Sequence, residues 1–137
     1  EVDPYIVFPQ GEGYEHRMVE FEAKPGKEPV FIILDGTWRQ ARRMFRHSRY
    51  LDHIPVIEPK IESVSKYKLR KAAVEGQLCT AEVAAEMLKL IGDEAGHDVL
   101  SAYFSIFNDH YKDARMSRPI VDDSEAKQLI RAYQQAF

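Results

Sequence analysis

The sequence predicts an α/β protein, a mostly parallel sheet flanked by helices. Three observations point there. Residues Val30 to Leu34, "VFIIL", form an unbroken apolar run, the pattern of a strand covered on both faces rather than one alternating between core and water. Short β-rich segments alternate along the chain with stretches whose apolar residues recur at helical spacing. At 137 residues, 45% of them hydrophobic, the chain is long enough for one sizeable core and too short for two ordinary domains, so one domain over 1–137 is expected.

In chain order, "PYIVFPQ" and "RMVEF" read as short strands separated by the turn-like "GEGYEH". "KPGKEP" is a charged Pro/Gly loop leading into the apolar strand. The first helix is predicted from Thr37 to about Arg46, with Trp38, Ala41 and Phe45 on one side and arginines on another. "IPVIEP" at 54–59 reads as a further strand bounded by prolines. A second helix, Thr80 to Ile91, has Val83, Ala84, Met87, Leu88 and Ile91 on its apolar stripe, Thr80 as N-cap and Gly92 as its stop. A third, Asp98 to Lys112, turns Leu100, Tyr103, Phe104, Phe107 and Tyr111 to the core, and a fourth, Ser124 to Ala136, contributes Leu129, Ile130 and Tyr133.

Several function classes are excluded or disfavoured. No apolar run approaches the roughly 18 residues a membrane helix needs, and no basic-then-apolar leader opens the sequence, so a cytoplasmic protein without a membrane partner is expected. The single cysteine, Cys79, forms no internal disulfide framework and no CxxC metal site. His16, His47, His53, His97 and His110 lack metal-type spacing, and neither GxGxxG nor a Walker loop is present. No metal is expected. Because the chain opens on Glu1 and reads as strand by Tyr5, it is expected to be part of a longer protein.

The formal net charge of -3 hides a segregation. Arg39, Arg42, Arg43, Arg46 and Arg49 stand within residues 39–49 with no acid, and Lys60, Lys66, Lys68, Arg70 and Lys71 share residues 60–71 with Glu62 alone. Arg39, Arg42, Arg43 and Arg46 share one helix face, where like charges repel. A phosphate backbone would make that face favourable; a solvated face, or ion pairs with the acidic C-terminal segments, is the structural alternative.

Two further stretches carry candidate chemistry. Asp35-Gly36 follows a buried strand and precedes a helix, the carboxyl edge at which open α/β sheets bind ligands; equally, Asp35 or Thr37 caps the helix and Trp38 anchors the core. "SKYKLRKAAVEGQLCTAEVAAEML" runs from a basic segment through a small-residue loop to a helix start, where backbone N–H groups can hold an anionic part of a ligand. Cys79, with no histidine nearby in sequence, reads as a small buried thiol rather than a nucleophile.

Together these residues resemble the DTW-domain proteins, whose Asp-x-Thr-Trp signature stands here as Asp35-Gly36-Thr37-Trp38. "YIVFP" precedes it, "QARRMF" and "IPVI" follow closely, and "YKLRK" and "GQLCTAEVAAEML" come after, so the match runs in order from Tyr5 to Ile91. The resemblance implies a tRNA-uridine aminocarboxypropyltransferase, which moves the 3-amino-3-carboxypropyl group of S-adenosylmethionine to N3 of a uridine. It implies a SPOUT-like fold with a C-terminal trefoil knot, tRNA as partner, and a monomer or homodimer. Family members carry a cysteine-rich, zinc-binding segment upstream that these residues lack.

Carried onto this sequence, the resemblance makes Asp35, Thr37 and Trp38 catalytic, with Asp35 taking or polarising the uridine N3 proton. Phe8, Pro9, Leu34, Gly36, Leu69, Arg70, Leu78, Cys79, Thr80 and Ala81 are the expected cofactor-binding residues, Arg70 pairing with the amino-acid carboxylate. Arg39, Arg42, Arg43, Arg46 and Lys66 are the expected RNA contacts; four phosphates on the arginines would give tRNA affinity a log-log salt slope of about -3.6. The alternatives are a SPOUT-like methyltransferase acting on RNA and a noncatalytic RNA-binding module.

Overall fold

A computed structural model of the chain describes residues 1–59, 80–120 and 122–136, apart from the Trp38 side chain. It divides into two compact units, Glu1–Lys60 and Ile61–Phe137. The first is mixed α/β. Strand β1 (Val2–Val7) lies between β2 (Glu28–Ile33) and β3 (Val56–Ile57) in a parallel three-stranded sheet of order β2-β1-β3. Helix α1 (Trp38–His47) connects β2 to β3.

Burial on both faces falls to β1 rather than to β2. Tyr5, Ile6 and Val7 are all buried, whereas Val30 of β2 is 40% exposed and Phe31, Ile32 and Ile33 are half-buried. The unbroken apolar run identified a parallel strand correctly but not its cover; among the described residues β2 has a strand neighbour on one side only. "RMVEF" does not form a ladder strand. Met18 makes an isolated bridge to Val56, and Phe21 instead sets its ring edge-on against Tyr5 at 5.4 Å and tilted against Phe31 at 5.5 Å. Phe21 and Met18 cover apolar surface of this unit, while Val19 stays exposed.

Ile6, Phe8, Ala41, Phe45, Leu51, Ile54 and Val56 form the core of this unit. Ala41 and Phe45 are the buried stripe of α1, four residues apart as the helical period requires. The Phe8 ring stacks on Phe45 with centroids 4.4 Å apart and planes 3° from parallel, and Tyr14 meets Phe45 edge-on at 4.7 Å. The Arg17 guanidinium lies 5.1 Å above the Phe45 ring and donates to the carbonyls of Leu51 and Ile54.

The described part of the second unit is helical: α2 (Thr80–Leu90), α3 (Glu94–Arg115) and α4 (Glu125–Gln135), with α3 packed against both others. The strand-helix alternation expected along the chain therefore belongs, among the described residues, to the first unit. Gly92, at φ +88°, ends α2 as expected. Helix α3 starts four residues earlier than Asp98 because Asp93 caps it, its carboxylate accepting from the Gly96 N–H at 2.9 Å, and it ends at Arg115 rather than Lys112.

The α3 face expected in the core is partly outside it. Tyr103, Phe107 and Tyr111 are 51%, 52% and 43% exposed, Leu100 and Phe104 are half-buried, and Ala102 is the buried position. Neighbours along the helix shelter the rings instead: Phe107 and Tyr111 stand 6.1 Å apart, and the Arg115 guanidinium lies 5.9 Å from the Tyr111 ring. Ile91, Leu129 and Tyr133 are likewise exposed, while Met87 and Ile130 are buried as expected and Ala85 joins them. Among the described residues no helix is long and apolar enough to cross a membrane.

Candidate functional site

The three parallel strands end level. Val7 is in register with Ile33 on one side and Ile57 on the other, so the segments beginning at Phe8, Leu34 and Glu58 leave the same edge of the sheet. That carboxyl edge is where an open parallel sheet offers a ligand site. The backbone N–H of Gln10 donates to the Glu58 carboxylate at 3.3 Å, and the Tyr14 hydroxyl donates to the Pro9 carbonyl, which ties the first of these segments down.

Between β2 and α1 the chain turns at Gly36, with φ +146°. Thr37 then caps the helix: its hydroxyl accepts from the Gln40 N–H at 3.2 Å while the Gln40 side-chain oxygen accepts from the Thr37 N–H at 2.9 Å. Of the two residues that might cap α1, Thr37 does so, in a reciprocal capping box. Asp35 is left outside the box, exposed.

An open hollow of about 530 Å³ is lined by Asp35, Gln40, Arg43, Met44, His47 and Ser48. From the Gly36 turn onward these positions recur every three or four residues, one stripe of α1. A neighbouring stripe, about 120° round the helix, is buried through Ala41 and Phe45, which fixes the turn of the helix about its axis. A carboxylate, a guanidinium, an imidazole and an amide thus share one concave wall, a set that both accepts and donates hydrogen bonds.

Arg39, Arg42, Arg43 and Arg46 are all exposed, and among the described residues none of them forms an ion pair. Arg42 and Arg46 lie close enough to Tyr14 for their charge to act on its hydroxyl; burial pushes that hydroxyl above its ordinary value, and Arg42 works against the rise.

The expected cofactor residues fall into three groups. Pro9, Leu34 and Gly36 stand at the carboxyl edge with Phe8, whose ring is buried against Phe45, so that its backbone is what it can offer a ligand. Thr80 and Ala81 open α2 in the second unit, with Thr80 its first helical residue. Leu69, Arg70, Leu78 and Cys79 lie outside the described residues, as do the expected RNA contact Lys66 and the side chain of the expected catalytic Trp38. Among the described residues no group of histidine, cysteine and carboxylate side chains could hold a metal.

The sequence does not single out Gln40, Met44 or Ser48, and His47 enters there only among histidines without metal-type spacing. Thr37-x-x-Gln40 has capping-box spacing, so Gln40 carried a readable signal.

Comparison with known proteins adds three findings. The DTW domain family model matches residues 1–112. A tRNA-uridine aminocarboxypropyltransferase 2 of Drosophila melanogaster is 27% identical over 86 residues, 63% of this chain and 33% of that protein. The chain therefore spans about a third of the length of that relative. No solved structure matches it.

Proposed function

Because the chain belongs to the DTW domain family, we propose that it modifies tRNA by transferring the 3-amino-3-carboxypropyl group of S-adenosylmethionine to N3 of a uridine, on a SPOUT-like fold with a C-terminal trefoil knot. The observation that carries the activity is the position of Asp35, an exposed carboxylate inside the family signature, at the carboxyl edge of a parallel sheet and on the wall of an open hollow. The name of the Drosophila relative supports the same chemistry.

The volume of the hollow lies in the range of small-molecule sites, and its donors and acceptors suit a nucleobase or an amino-acid group. S-adenosylmethionine supplies a sulfonium leaving group, so the carbon attacked is already activated. What the protein must add is a nucleophile freed of its proton and held in line. In the transfer the uracil N3 gives its proton to Asp35 and forms a bond to the γ-carbon as the carbon–sulfur bond opens; the sulfur keeps the electron pair and leaves as neutral methylthioadenosine. A positioned base of this kind contributes about 10²–10⁴-fold. The exposed arginines of α1 hold the RNA.

The test uses unmodified tRNA and S-adenosylmethionine labelled either in the carboxyl carbon or in the methyl group, with nucleoside mass spectrometry of the product. Label from the carboxyl carbon alone is expected. Methyl label in the tRNA would make the protein a methyltransferase, and no label from either, with tRNA still bound, a binding module. Asp35→Asn is expected to slow transfer by about 10²–10⁴-fold while calorimetry still detects the cofactor.

A further inference from the structure

We propose that Arg43 reads the target base, donating to the uracil oxygens beside Asp35, while Arg39, Arg42 and Arg46 are the residues that meet phosphates. The inference rests on the transfer reading above and assigns a specificity-determining residue within it.

The four arginines are alike in sequence but not in place. Arg43 lines the hollow with Asp35, and the other three do not. On a helix advancing 100° per residue, Gln40, Arg43, Met44 and His47 form one stripe, and Arg39, Arg42 and Arg46 form the stripe beside it. A phosphate drawn to Arg43 would enter the hollow facing the Asp35 carboxylate, like charge against like. A neutral base meets no such repulsion.

The chemistry of uracil fits the wall. Its pairing edge presents an acceptor, a donor and an acceptor: O4, N3–H and O2. A carboxylate answers only the central donor. As N3 loses its proton, the negative charge spreads onto O2 and O4, and a cation with planar donors beside those oxygens favours the ionised base. The guanidinium of Arg43 supplies that group. Gln40 supplies a second donor, since its side-chain oxygen is engaged by the Thr37 N–H and, among the described residues, its NH₂ group is not. Cytosine offers a lone pair at N3 and an amino group at C4. Asp35 would repel the first and Arg43 the second.

The experiment compares the wild-type chain with Arg43→Ala, Arg43→Lys and Arg42→Ala, measuring tRNA affinity against salt and single-turnover transfer at saturating tRNA across pH. With three phosphate contacts the wild-type log-log salt slope is about -2.7. Arg43→Ala is expected to keep that slope, to lose about 10²–10³-fold in transfer rate, and to move the rise of rate with pH upward. Arg43→Lys is expected to recover part of the rate. Arg42→Ala is expected to shrink the slope by about 0.9. If Arg43→Ala shrinks the slope by the same amount, with or without a loss of rate, Arg43 is a fourth phosphate contact and the proposal is overturned. A wild-type chain that transfers nothing overturns this proposal together with the transfer reading.

Discussion

At Gly36 a Cβ would stand 3.0 Å from the side-chain oxygen of Gln40 and 3.2 Å from its Cβ, on a backbone whose φ of +146° an L side chain rarely adopts. Gly36→Ala therefore strains the turn and pushes on the amide that closes the capping box. We expect a loss of about 1–3 kcal/mol, read as a lower urea midpoint. Tyr14 gives a pH-dependent counterpart. Burial raises its hydroxyl above the ordinary value near 10, so the folded protein favours the neutral phenol that donates to Pro9. That contribution is fully present below the unfolded value and is lost as pH rises through the higher folded one. In Tyr14→Phe the decline in stability above about pH 10 should be shallower than in wild type. Asp35, Gly36 and Thr37 could be found from the sequence because a strand end, a turn and a cap leave local signatures. Met44 and Ser48 could not, since the face a helix turns to a hollow depends on what its other face buries.

Helix α1 carries its arginines at a cost to its own stability, for Arg39, Arg42 and Arg46 sit three and four residues apart with the same sign. Replacing the middle one, Arg42→Glu, creates opposite-charge pairs with both neighbours. Each is worth about 0.2–0.5 kcal/mol, so the urea midpoint should rise while tRNA affinity falls. Equal or parallel changes in the two measurements would mean that the basic face serves stability instead. Helices were legible as elements, with limits wrong where a cap outweighed the apolar period: Asp93 moves the start of α3 to Glu94. The short strand β3 was readable from its bounding prolines. "RMVEF" misled, because a β-rich composition tells which residues seek cover but not whether they reach it by pairing or by laying rings over a neighbour.

For the molecule as a whole, the order of the strands was the part no local pattern could supply. β1, the first strand in the chain, lies between the other two described strands, and Ile6, next to its last residue, is fully buried. Its backbone N–H donates to the Pro55 carbonyl at 3.0 Å, so the residue is held from the β3 side as well as by packing. Ile6→Ala is expected to cost about 2–5 kcal/mol, a large share of the 5–15 kcal/mol typical of a folded domain, and to show as early denaturant-induced loss of the Glu1–Lys60 unit. Substitution at Val30, 40% exposed on the edge strand, should cost far less.

The flat stack of Phe8 on Phe45, braced by Tyr14, joins the segment after β1 to the last turn of α1 through aromatic contact. On the proposed reading, a polynucleotide docked on the arginine face would load the same rings that seat Phe8 and Pro9, and gripping the nucleic acid and shaping the ground beside the reacting base would be mechanically one act.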